Sequence, residues 1–177
     1  MDFELTLCDV NEDLCHAWRK GFRGHGVEVV CGDFFDVAAD AYVSPANSHG
    51  IMDGGFDLLL RARFPGVDVR VQREIDKRGG MLPVGHAVIV ETGDWDVPYL
   101  VSVPTMEIPS RIAHTNNVFL AMGALLRTVH SFNAEADSPI LSVAVPGLGT
   151  GVGEMHPTMA ASQMLEAFEA FLEEQRS

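Results

Sequence analysis

Apolar positions change period several times along this chain. Phe3, Leu5 and Leu7 alternate with polar neighbours, so residues 2–8 are expected to form a half-buried strand. The pattern then turns helical: Asn11 stands as an N-cap, Glu12 and Asp13 follow it, and Leu14, Ala17, Trp18 and Phe22 supply one apolar face. Short strand-like runs follow at Val27–Cys31 and Ala41–Ser44. A helix is expected after Asp57, interrupted at Pro65, with a second stretch from about Val67 to Lys77. His86–Val90 and Tyr99–Val103 read as strands, and a long helix starts near Thr115, with Val118, Met122, Leu125 and Val129 on one stripe. Ile140–Val145 is almost continuously apolar, as a strand covered on both faces would be. Pro157 suits the first turn of a last helix bearing Leu165, Phe168, Phe171 and Leu172.

Strands alternating with helices imply an α/β sandwich. No repeat or linker divides the chain, so one domain over 1–177 is expected. In such folds ligands bind beyond the carboxyl ends of the central strands. Two loops there have suggestive content: PANSHGIMDGGFD (Pro45–Asp57) and VPGLGTGVGEM (Val145–Met155).

Composition narrows the ligand. The 177 residues carry a net charge of −13 with 47% apolar content. That balance argues against free nucleic acid, whose binding depends on neutralising phosphates. A polyanionic ligand would have to be held by backbone amides. Gly147, Gly149, Gly151 and Gly153 let successive N–H groups converge as an anion nest, although a plain strand-to-helix turn uses the same residues. The loop has no lysine and is no P-loop, and the dinucleotide pattern breaks at Val152. In the first loop, Asn47 offers a carboxamide and Asp53 and Asp57 offer carboxylates that could orient water. Turn hydrogen bonds from Asn47 and Ser48, with Asp57 as a helix cap, explain the same residues without a ligand.

No run of 18 apolar residues exists, so no transmembrane helix is expected. The acidic, alternating N-terminus lacks signal-peptide features, and three cysteines (Cys8, Cys15, Cys31) lack metal-ligand spacing. Both point to a cytoplasmic protein. Seven histidines form no H-x-x-x-H pair, so no metal is expected; His49 alone is placed to reach a ligand, and the favoured reading of it is a loop-surface histidine. Pro104–Pro109 (PTMEIP) follows a central strand as a third rim segment, and Asn116 and Asn117 read as caps of the next helix.

The order of Gly32-Asp33-Phe34, a strand, Pro45-Ala46-Asn47, Gly54-Gly55-Phe56-Asp57 and a late PGLGTGVG resembles the macrodomain family over most of the chain. The resemblance implies a three-layer α/β/α sandwich with a mixed, mostly parallel sheet, and ADP-ribose as ligand with no cofactor required. Asp33 and the Phe34 amide would read adenine, and Asn47 would contact the distal ribose. Gly54, Gly55 and Phe56 would wrap that ribose and one phosphate. Asp57 would position water, and Gly149, Thr150, Gly151, Val152 and Gly153 would hold the diphosphate.

Several departures qualify it, beginning with Pro45, where the family usually has alanine. Asp53 replaces a glycine of the family's triplet, as a second acid/base group or, the favoured reading, a turn-stabilising residue. The aromatic often found after the late loop is missing, leaving Phe56 as the candidate to stack on the distal ribose. The first loop has no lysine for covalent chemistry, and the pattern of chain-degrading glycohydrolases is absent. The implied activity is a monomeric mono-ADP-ribosyl hydrolase acting on ADP-ribosylated protein. A non-catalytic ADP-ribose reader, an ADP-ribose 1″-phosphate phosphatase and a plain nucleotide-binding module remain as alternatives.

Overall fold

The structure, a computed structural model, describes residues 1–176. Its strands are β1 (Glu4–Asp9), β2 (Glu28–Cys31), β3 (Ala41–Ser44), β4 (Val88–Glu91), β5 (Tyr99–Ser102) and β6 (Ser142–Val145). Its helices are α1 (Glu12–Gly21), α2 (Gly55–Arg63), α3 (Val67–Asp76), α4 (Asn117–Glu135) and α5 (Pro157–Glu174). The six strands form one sheet in the order β2-β1-β6-β3-β5-β4. Only β4 runs antiparallel to its neighbour; the other pairs are parallel.

Alternation along the strands sorts side chains into two cores. Leu5, Leu7, Ala41, Val43, Val101, Val143 and Val145 face α1, α4 and α5. Cys8, Tyr42, Leu100 and Ala144 face the opposite layer, where Leu60, Phe64, Val67, Val71 and Ile75 of α2 and α3 pack. The result is the expected α/β/α sandwich. Trp18 is fully buried, and its indole N–H meets Met164 Sδ at 3.4 Å, fastening α1 to α5. Truncating a core aromatic of this kind costs about 3–5 kcal/mol.

Local differences from the sequence expectations have local causes. β6 begins at Ser142 because the preceding backbone is held by side chains: Asn133 binds both N–H and C=O of Ile140, and Asp40 accepts from Leu141 N. Asn116 makes no capping bond. Asn117 instead donates to Thr105 O at 2.9 Å, tying α4 to the segment after β5. Among the described residues, no helix is long and apolar enough to cross a membrane.

Candidate functional site

A cleft of about 750 Å³ opens beyond the carboxyl ends of β1, β3 and β6. That volume falls within the range of small-molecule sites. Its lining brings together Asp33, Phe34, Asn47, Asp53, Gly54, Gly55, Phe56, Asp57 and Gly149 through Gly153, the positions that the family resemblance assigned to the ligand together with Asp53. His49 is not among them.

One wall is the loop between β6 and α5. Gly149 adopts φ +72°, and a Cβ there would sit 2.7 Å from Val118 and 2.9 Å from Ile112. Only glycine fits this position without strain. The turn is closed by Glu154 N to Gly151 O and Met155 N to Gly149 O, and Gly147 N donates to Asp9 Oδ2 at 3.1 Å. The N–H groups from Leu148 to Gly153 donate to no other described residue, although Leu148, Gly149 and Gly153 are buried. Buried amides are almost always paired, so a run of unpaired ones beside a cleft marks a place for an acceptor.

The facing wall is the loop from β3 to α2. Asn47 folds this loop around itself: its Oδ1 accepts from His49 N (3.1 Å) and Ile51 N (3.3 Å), and its Nδ2 donates to Ile51 O (2.8 Å). One Nδ2 hydrogen remains for a ligand. Gly54, not Asp57, is the N-cap of α2, in an extended conformation and with no side-chain cap. Gly55 follows at φ +57°. Asp57 lies inside the first turn, 7% exposed, and accepts the Ser44 hydroxyl at 2.6 Å. Burial pushes its pKa from 3.8 to about 6, and the Ser44 bond pulls the other way.

Asp53 departs from its favoured reading. It is exposed and its side chain makes no hydrogen bond or ion pair with a described residue, so it stabilises no turn and leaves a free carboxylate in the cleft wall. Phe56 also departs. It packs edge-on to Phe34 (4.9 Å) and stacked with Phe35 (5.9 Å, 21°), at the Asp33 end of the cleft rather than at the Asn47 end. Asp33 Oδ1 accepts from Phe35 N at 2.9 Å, while Phe34 N donates to no described residue.

Sequence reasoning missed Asp9, which braces two cleft segments by accepting from Asn11 N (2.9 Å) and Gly147 N. Within the predicted third rim segment it did not single out Thr105, which is buried and lines the cleft. A strand ending in Asp just before a capped helix was the available signal for Asp9. Among the lining residues are four carboxylates (Asp9, Asp33, Asp53, Asp57) and no Lys, Arg or His. Among the described residues, no group of three or more His, Cys, Asp or Glu is placed to hold a metal ion.

The sequence profile of the Macro domain family matches residues 43–164, which contain both facing loops. The chain belongs to this family. As a macrodomain it is 34% identical over 146 residues to a protein of Aquifex aeolicus, covering 82% of each chain. It is 32% identical over 139 residues to the O-acetyl-ADP-ribose deacetylase of Escherichia coli K12, covering 78% of this chain and 75% of that one. To the DNA ADP-ribosyl glycohydrolase of Mycobacterium tuberculosis it is 27% identical over 142 residues, 78% of this chain but only 37% of the relative. The solved macrodomain of M. tuberculosis DarG superposes with a TM-score of 0.66 at 26% identity, covering 79% of this macrodomain and 88% of that one.

Proposed function

We infer that the cleft binds ADP-ribose and that the protein is a hydrolase removing ADP-ribose from modified protein side chains. One observation carries the reading: a buried carboxylate, Asp57, and a run of unpaired backbone amides line the same cleft. The Gly149–Gly153 amides, which line the cleft, suit a diphosphate, which they can hold without a cation. The N-terminal end of α2 adds its own unpaired N–H groups and partial positive charge. The free Phe34 amide and the second carboxylate oxygen of Asp33 suit an adenine edge, next to the Phe34–Phe35–Phe56 cluster. The remaining Nδ2 hydrogen of Asn47 suits a hydroxyl of the distal ribose.

In this arrangement Asp57 takes a proton from water as the water oxygen attacks the anomeric carbon of the distal ribose. The bond from that carbon to the acceptor oxygen breaks. An acceptor carboxylate leaves as an anion and needs no general acid, so one carboxylate suffices for an ester link. Asp57 is ionised enough above pH 6 to act as base, and its burial makes it a stronger one than an exposed aspartate. The names of the two hydrolytic relatives support an ADP-ribose-directed hydrolase.

The test pairs two measurements. Calorimetry of the full chain with ADP-ribose is expected to show one-to-one binding, and absence of binding at high micromolar ligand contradicts the reading. De-modification of a protein ADP-ribosylated on acidic side chains is expected to stop in Asp57→Ala. Binding that persists with no de-modification by the unaltered protein would make it a reader instead.

A further inference from the structure

The mouth of the cleft is aliphatic at its Asn47 end. Ile51, Ile108 and Val152 are 51%, 58% and 60% exposed. Ile51 and Val152 line the cleft together with Met106 and Pro109, and Ile108 adjoins Pro109. These residues come from three loops fastened to one another. Asn47 bridges Met106, and Ser48 N donates to Met106 O at 2.9 Å. Asn47 Nδ2 holds Ile51 O, and Ile112 N donates to Gly153 O at 2.9 Å. The aliphatic side chains therefore share one braced rim. An apolar patch gathered around a pocket mouth marks a surface that a partner covers.

The unpaired charges at this rim have one sign. Asp53 and Glu107 are exposed and make no ion pair with a described residue. Arg111, the only Lys or Arg between β5 and α4, is engaged by Glu154 at 3.3 Å. With no cation in the cleft lining either, an acceptor bearing phosphates would find carboxylates where it needs Lys and Arg. A polypeptide with basic residues meets complementary charge.

We propose that this rim docks a short polypeptide segment. The acceptor carrying ADP-ribose is then a protein chain with aliphatic residues beside the modified side chain and basic residues flanking them, and it is not a nucleic acid. This names the substrate class of the cleft and rests on the reading that the cleft holds ADP-ribose. Ile51 and Met106 adjoin Asn47, the proposed ribose contact, so the bond to the acceptor emerges at the aliphatic rim.

Three substrates test it with the full chain: a peptide ADP-ribosylated on an acidic residue with aliphatic and basic flanks, the same peptide with Ser and Gly flanks, and an ADP-ribosylated single-stranded oligonucleotide. The first is expected to exceed the second by about tenfold in kcat/KM, the effect of covering one or two aliphatic side chains. The oligonucleotide is expected to be poorest. Ile108→Ser is expected to raise KM for the first peptide about fivefold, the effect of one partly covered aliphatic side chain. It should leave kcat and the affinity for free ADP-ribose unchanged. Glu107→Lys is expected to weaken the same peptide and to reduce the salt dependence of its KM. Equal cleavage of the two peptides, unchanged KM in both variants, or preferred cleavage of the oligonucleotide would overturn the proposal while ADP-ribose binding stands. Loss of ADP-ribose binding by the unaltered protein would overturn the cleft reading and this proposal with it.

Discussion

The two walls of the cleft use opposite chemistries. The late loop, Leu148–Gly153, contributes backbone: its amides are unpaired, and its shape depends on glycine. The β3–α2 wall contributes side chains: Asn47 braces the loop, Asp57 is buried against Ser44, and Asp53 is free. A backbone wall holds an anion without a charge that could be titrated or mutated away. A side-chain wall can be tuned, because burial sets the proton affinity of its carboxylate. Substitutions should therefore separate binding from chemistry according to the wall they touch.

The sharpest separation is expected from Asp57→Asn. Hydrolysis should fall by about 10²–10⁴-fold, the usual contribution of a positioned base. ADP-ribose affinity should change by less than about threefold, since the diphosphate is held by the other wall. The same substitution should stabilise the fold at neutral pH. The raised pKa means that the folded chain keeps a proton that the unfolded chain releases above about pH 4. Stability from this group is complete below that pH and is lost as pH rises through about 6. Asparagine carries no charge to bury, so denaturant titration at pH 8 should show a gain of up to about 3 kcal/mol, and none at pH 3.5.

Gly149→Ala should do the reverse. The left-handed backbone and the contacts with Val118 and Ile112 predict a loss of about 1–3 kcal/mol in stability and about tenfold weaker ADP-ribose binding, read by thermal melting and calorimetry. Its kcat on saturating substrate should fall much less than its affinity.

The walls also differ in pH dependence. With Asp57 as base, kcat/KM should rise about tenfold per pH unit below 6 and level off above it, while ADP-ribose affinity stays flat across that limb. Ser44→Ala removes the bond that lowers the Asp57 pKa, so the limb should move to higher pH. The smallest effect is expected from Asp53→Asn: a free, exposed carboxylate repels a diphosphate through solvent, so affinity should improve by no more than about threefold, less at high salt.

Much of this comparison was legible in the sequence because both walls are written locally. The apolar pattern placed all six strands and all five helices, and the glycine spacing placed the late loop. What depends on distant contact was not legible. Asp57 could be read as a helix cap, because nothing local shows that Ser44 at the end of β3 lies beneath it. Phe56 was a candidate to stack on the ribose, but its ring packs against Phe34 and Phe35, some twenty residues earlier in the chain. Asp53 looked like a turn residue, yet Asn47 already supplies the loop's hydrogen bonds, which leaves Asp53 with none. Asn117 looked like a cap and instead reaches back to Thr105.

Backbone amide NMR of the full chain during titration with ADP-ribose tests the central claim most directly. The N–H resonances of Gly149 to Gly153 should move together and saturate with one affinity, along with those of Phe34 and of Gly54 to Asp57. Unmoved Gly149–Gly153 amides at saturating ADP-ribose, or shifts confined to another surface, would contradict a cleft in which backbone holds the diphosphate beside Asp57.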